Sequence, residues 1–218
     1  MNILFDLDGT LADPFVGITK SMSYALEKLG RPVPTLESLR WCIGPPLRGN
    51  FSKLLASEDA ELVEKAVALY RERFAPIGLW ENEMYAGIPE ALGVLKGLGH
   101  TLYIATSKPT VYAEPIMERF GLRQFFRRIY GSELDGTRSD KSTLIGYILQ
   151  TESMTSSETV MVGDREHDII GARGNGLHSI GVLWGYGTQE ELEGAGASTC
   201  VSSPNELVSA VGGVGSRD

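Results

Sequence analysis

The chain of 218 residues is poor in cysteine. It has two, Cys42 and Cys200, far apart and with no C-x-x-C pair. That excludes a zinc cluster and fits a reduced, cytoplasmic compartment. No apolar run reaches the length of a membrane span, so no membrane partner is expected. Met1 leads directly into a strand-like run, so no signal peptide is expected. There is no internal repeat and no low-complexity segment. Basic charge is scarce: 20 Lys and Arg against 28 Asp and Glu leave a net charge of −8. A nucleic-acid polymer or an anionic membrane is therefore a poor partner. No P-loop is present, and the run Gly171 to Gly176 has its glycines in the wrong order for G-x-G-x-x-G. What remains is an ordinary globular composition, 42% hydrophobic and 22% charged. It suffices for one large domain, or one domain plus a smaller one.

The most informative stretch is the first, MNILFDLDGTLAD. Asn2 to Leu7 reads as a buried parallel strand. Alternation points Asp6 and Asp8 the same way. Gly9 permits a sharp turn, and Thr10 places a hydroxyl just beyond it. Two carboxylates at the end of a buried strand are costly unless something compensates them. A hard cation such as Mg²⁺, which takes a few carboxylates plus phosphate oxygens, would do so. A calcium loop does not fit, because Gly9 comes too early and Gly17 holds the twelfth place. A hairpin does not fit either, because the following residues read as a helix.

Residues 14–83 contain helical patterns and no convincing strand. Helices are expected over 15–29, from Thr35 onward with Glu37 and Ser38 in the first turn, over 47–55 and over 59–74, with a break at Cys42 to Leu47. From Tyr85 strand alternates with helix. Strands are expected over 101–106, 127–131, 159–163 and 179–184. With the first strand they make five in a doubly wound parallel α/β sheet, Rossmann-like, with residues 1–13 and 84–218 as the core and 14–83 as an inserted helical domain. Such sheets bind ligands beyond the carboxyl ends of their strands. The insert is expected over that edge. The glycine-rich tail from Gly212 to Asp218 is expected to fray.

Three more places carry polar residues at that edge. Thr106-Ser107-Lys108-Pro109 joins an apolar strand to a helix start, and a hydroxyl beside free helix amides suits a phosphate. Ser107 could equally be a simple helix cap. Lys141 opens a helix after Asp140. Gly163-Asp164-Arg165-Glu166-His167-Asp168 crowds acids at a strand–helix junction. Asp168 could be an ordinary helix-start acid, but Asp164, like Asp6, ends a buried strand.

In order and context these segments resemble the four motifs of the haloacid dehalogenase superfamily: D-x-D-G-T at Asp6 to Thr10, Thr106, Lys141, and G-D-x-x-x-D ending at Asp168. The Thr-Ser-Lys-Pro segment and the layout are most similar to the phosphoglycolate phosphatase-like branch. Two departures count against glycolate specificity. Asp140-Lys141-Ser142 lacks the Lys-Pro of many members, and the Gly44-Pro45-Pro46-Leu47 break is closer to 5′-nucleotidases or tyrosine-phosphate phosphatases. The resemblance implies a Mg²⁺-dependent phosphatase acting on small-molecule phosphate esters through an aspartyl-phosphate. In it Asp6 is the nucleophile and Asp8 the general acid and base. Thr106, Ser107 and Lys141 hold the phosphate. Asp6, Asp164 and the Asp8 backbone carbonyl hold the metal, with Asp168 in support. The insert would be a cap that selects substrate, with Lys20, Gly44 and Arg48 as candidate contacts. A monomer or homodimer is expected. A phosphomutase of the same superfamily and a non-catalytic phosphate- or nucleotide-binding module are the alternatives; Asp8 disfavours a dehalogenase.

Overall fold

A computed structural model describes residues 1–214. The elements begin with β1 (Asn2–Phe5), β2 (Ala12–Asp13), α1 (Phe15–Lys28), α2 (Leu47–Leu55), α3 (Ala60–Phe74) and β3 (Glu83–Met84). They continue with α4 (Ile88–Gly97), β4 (Thr101–Pro109), α5 (Thr110–Arg119), β5 (Phe126–Ser132), α6 (Lys141–Glu152) and β6 (Thr159–Gly163). The last are α7 (Glu166–Gly174), β7 (His178–Val182), α8 (Gln189–Ala195), β8 (Thr199–Val201) and α9 (Pro204–Val214). The chain divides into two compact units. One joins Met1–Asp13 to the chain from Met84 onward, and the other is Pro14–Glu83. The segments at the two crossings, β2 and β3, pair in a two-stranded sheet.

The larger unit is built on a six-stranded sheet in the order β5-β4-β1-β6-β7-β8, with every pairing parallel. β1 is buried on both faces, which is why its sequence runs apolar without alternation. Leu4, Tyr103, Ala105, Tyr130 and Met161 pack with Leu144, Ile145 and Ile148 of α6 and Ala172 of α7. Strands follow one another outward on one side of β1, and then on the other from β6. The order reverses between β1 and β6, and the crevice beyond the carboxyl ends of such a pair is where doubly wound sheets take ligands. The Asp6 amide extends that pairing by donating to Val162 C=O at 2.9 Å.

The smaller unit is helical. Ile18, Met22, Ala25 and Leu26 make one buried stripe on α1, and Val63, Ala66, Val67, Tyr70 and Phe74 make another on α3. The two helices pack together, as three- and four-residue spacing requires. Tyr70 stacks on Phe74 with ring centroids 5.1 Å apart and meets Phe51 of α2 edge-on at 6.2 Å. Buried Asn50 Nδ2 donates to Cys42 C=O at 2.7 Å and Pro45 C=O at 3.3 Å, fixing the turn before α2.

Three expectations are corrected. The sheet has a sixth strand, β8; its three residues between Ser198 and Ser202 are too short and too little buried for an apolar pattern to reveal. The helix expected from Thr35 is a single 3₁₀ segment, Glu37–Cys42, cut off where Gly44 at φ +102° and two prolines follow. Helix α9 runs through Gly212 and Gly213 to Val214, anchored by buried Leu207 and Val211. The rest of the expected frayed tail, 215–218, lies outside the described residues. Among the described residues no helix is long and apolar enough to cross a membrane.

One glycine fixes how β4 meets β5. A Cβ on Gly131 would lie 2.4 Å from Lys108 C=O and 2.7 Å from the Thr110 amide. Gly131→Ala is expected to cost about 1–3 kcal/mol by forcing backbone apart in a packed sheet. Urea denaturation reads this directly, and an unchanged midpoint would contradict the close approach.

Candidate functional site

Four carboxylates converge beyond the carboxyl ends of β1 and β6. Asp6, Asp8, Asp164 and Asp168 are each at most 7% exposed. Asp6 follows β1 directly, and Asp8 stands two residues on. Asp164 follows β6, and Asp168 lies in the first turn of α7, where its Oδ2 accepts the Arg165 amide at 3.2 Å. Asp6, Asp164 and Asp168 each offer an oxygen within 4.8 Å of the others.

Two buried ammonium groups face these four acids. Lys141, the first residue of α6, reaches Asp6 Oδ1 at 2.9 Å, Asp168 Oδ1 at 2.8 Å and Ala105 C=O at 2.7 Å. Its helix start is fixed by Asp140, whose Oδ1 accepts the Thr143 amide at 2.8 Å. Gly171 of α7 leaves room for the Lys141 stem, since a Cβ there would come within 2.9 Å of Lys141 Cγ. The second cation is Lys108, near the end of β4, with Nζ 2.9 Å from Asp8 Oδ2. The other Asp8 oxygen, Oδ1, is buried without a hydrogen-bond partner.

Asp164 is held by neutral donors. The Tyr186 amide donates to its Oδ2 at 2.8 Å and the Thr10 hydroxyl to its Oδ1 at 3.3 Å. Glycine surrounds it. A Cβ on Gly9, at φ +87°, would lie 2.1 Å from Asp164 Oδ2, and one on Gly185 would lie 2.4 Å from Asp164 Cβ. The Trp184 indole donates to Thr10 C=O at 3.0 Å and the Tyr186 phenol to Asp13, so the loop after β7 is tied to the turn after β1.

The electrostatics follow from burial. Burial, then Asp168 and Asp6, push the Asp164 carboxyl well above its ordinary range. Burial also raises Asp168 and Asp8, against the opposing pulls of Lys141 and Lys108. Burial alone would lower the Lys141 ammonium, but Asp168 and Asp6 outweigh it and hold its pKa above the ordinary value. Four acids against two ammonium groups leave a deficit that suits a divalent cation. The three-carboxylate cluster is an all-oxygen donor set of the hard kind Mg²⁺ takes. The residues therefore fit that ion.

Thr106 is buried at the same edge, and its hydroxyl accepts the Lys108 amide at 3.2 Å. Ser107 is half-buried; its C=O accepts the Ser132 hydroxyl at 2.8 Å, and its side chain caps no helix. The three candidates in the smaller unit are placed differently. Lys20 pairs with Glu81 at 3.5 Å, Arg48 makes a two-pronged ion pair with Glu64, and Gly44 occupies a turn. Sequence reasoning passed over Lys108 and Tyr186. The cue for Lys108 was its spacing: two residues beyond Thr106 on an extended run, it shares that residue's face. Nothing in the sequence marks Tyr186, which acts on Asp164 through its backbone.

Residues 3–182 match the family described as haloacid dehalogenase-like hydrolase. A protein of Pseudomonas aeruginosa named 5′-nucleotidase is 50% identical over 191 residues, 88% of this chain and 86% of that one. A protein of Mycobacterium tuberculosis named tyrosine-protein kinase PtkA is 34% identical over 212 residues, 96% of this chain and 72% of that one. The crystal structure of a predicted phosphatase from Clostridium acetobutylicum superposes with a TM-score of 0.93 at 44% identity, covering 96% of this chain and 97% of that one. Phosphoglycolate phosphatases match more distantly, at 24–27% identity.

Removing Lys141 leaves Asp6 and Asp168 buried without their shared cation. Lys141→Met is expected to lose about 3–5 kcal/mol of stability in urea denaturation with chelator present. A loss under about 1 kcal/mol would contradict the pairing.

Proposed function

Since the chain belongs to the haloacid dehalogenase-like hydrolases, we propose that it hydrolyses phosphate monoesters through a phosphoryl group carried on Asp6, with Mg²⁺ as cofactor. It is a phosphoric monoester hydrolase. The observation that supports the covalent route is the unlike settings of Asp6 and Asp8. Asp6 shares Lys141 with Asp168 and belongs to the three-carboxylate cluster. Asp8 stands apart from that cluster against Lys108, with one oxygen unpartnered and its pKa raised by burial. Two carboxyls in unlike settings suit two roles, nucleophile and acid.

An Asp6 oxygen attacks phosphorus as the bond from phosphorus to the leaving oxygen breaks. The electron pair stays on that oxygen, and Asp8 gives it a proton, so a neutral alcohol departs. Asp8, now a carboxylate, takes a proton from water as the water oxygen attacks phosphorus. The bond from phosphorus to Asp6 then breaks, Asp6 recovers its carboxylate, and inorganic phosphate leaves. Lys141, Thr106 and Ser107 hold the non-bridging oxygens and offset their charge. Mg²⁺, held by Asp6, Asp164 and the Asp8 backbone carbonyl with Asp168 in support, supplies further positive charge at the phosphoryl group.

The favoured substrate class is the nucleoside 5′-monophosphates, because a relative at 50% identity is named 5′-nucleotidase. Phosphoglycolate has the more distant relatives behind it. Lys20, Gly44 and Arg48 are the proposed selectors in the smaller unit. For Lys20 and Arg48 this means exchanging Glu81 and Glu64 for the ester.

Phosphate release is measured with Mg²⁺ and with chelator, on nucleoside 5′-monophosphates, phosphoglycolate, phosphotyrosine and sugar phosphates. Turnover is expected to require Mg²⁺ and to be fastest on a nucleoside monophosphate. Turnover that survives chelation would overturn the cofactor, and a faster phosphoglycolate rate would overturn the substrate class. Asp6→Asn is expected to fold and lose turnover, and substantial residual activity would remove Asp6 as nucleophile.

A further inference from the structure

We propose that Lys108 is a positioning residue for Asp8, holding the carboxyl that serves the leaving group. The proposal rests on the reading of Asp8 as the acid. Lysine is seldom buried without a partner, and Lys108 is 8% exposed with its Nζ 2.9 Å from Asp8 Oδ2. The contact joins two separate parts of the fold, the turn after β1 and the end of β4.

The backbone beneath Lys108 is fixed from several sides. Its amide donates to Thr106 Oγ1 at 3.2 Å, and the preceding carbonyl, on Ser107, accepts the Ser132 hydroxyl at 2.8 Å. Its own carbonyl sits against Gly131, where a Cβ would come within 2.4 Å, and the Gly131 amide donates to Thr110 Oγ1 at 3.1 Å. A fixed backbone and a buried stem hold the ammonium against Asp8. One Asp8 oxygen is thereby anchored, and the other, Oδ1, is buried with no hydrogen-bond partner. An anchored acid with one free oxygen can meet a leaving oxygen without first searching for its orientation, and misplacement of a reacting group by about 1 Å can cost 10²-fold in rate. The two buried lysines thus divide the work. Lys141 serves Asp6 and Asp168, and Lys108 serves Asp8.

The test compares phenyl phosphate with p-nitrophenyl phosphate. The two esters are close in size, but the nitrophenolate leaves readily without a proton. In Lys108→Met the ratio of kcat/KM for phenyl phosphate to kcat/KM for p-nitrophenyl phosphate, which reads only the step that releases the alcohol, is expected to fall roughly 10-fold, a fraction of the 10²–10⁴ that general acid catalysis supplies. KM should change little for either ester. Lys108→Arg, which keeps a cation at that place, is expected to recover most of the ratio. Thermal melting checks that each variant is folded, and Lys108→Gln replaces the methionine variant if that one is not. An equal fall on both esters, or no fall, would overturn the proposal. Asp8→Asn is run beside them. If it leaves the ratio unmoved, the reading of Asp8 as acid fails. If it lowers the ratio while folded Lys108 variants do not, the role of Lys108 alone fails.

Discussion

Four carboxylates are buried at the junction of β1 and β6, and the residues around them answer that cost. Each buried acid left uncompensated would cost several kcal/mol or abandon its charge. Lys141 takes two of them and Lys108 a third, while Asp164 is held by an amide and a hydroxyl. Two ammonium groups cannot balance four carboxylates. That imbalance is the physical argument for a divalent cation.

The backbone is shaped to bring these groups together. The parallel sheet sets Asp6 and Asp164 on adjacent strand ends, in the register that pairs Phe5 with Val162. Gly9, Gly163 and Gly185 stand where any side chain would strike Asp164 or Asp168. Gly131 does the same for the segment that carries Thr106 and Lys108. The loop after β7 reaches back to the turn after β1 through Trp184 and Tyr186, joining Asp164 to Asp13, the last residue before the chain leaves for the helical unit. The acid cluster and the exit of the chain therefore share one set of hydrogen bonds.

Much of this was legible in the sequence, for physical reasons. Buried parallel strands must be apolar throughout, so β1, β4 and β6 stood out, and polar residues at their ends were conspicuous. Asp6, Asp8, Thr106 and Asp164 could be named because each ends or follows such a run, whereas Lys141 and Asp168, at helix starts, were named only through the order of the motifs they resemble. β8 could not, because a three-residue edge strand has no pattern to show. Lys108 was passed over because lysine is usually a surface residue, and only the folded β4 shows that its stem is buried. Tyr186 was invisible because its contact with Asp164 is made by an amide, which every residue but proline carries. The ion pairs of Lys20 with Glu81 and Arg48 with Glu64 join residues far apart in the chain, and no local pattern announces them.

The central claim is that this acid cluster is a divalent-cation site built on Asp164. Isothermal titration of Mg²⁺ into the folded protein, without substrate, tests it most directly when set against Asp164→Asn. The account predicts one saturable site per chain, and binding weakened by at least about 10-fold in the variant. Equal binding by the two proteins, or no binding by the unaltered one, would contradict it.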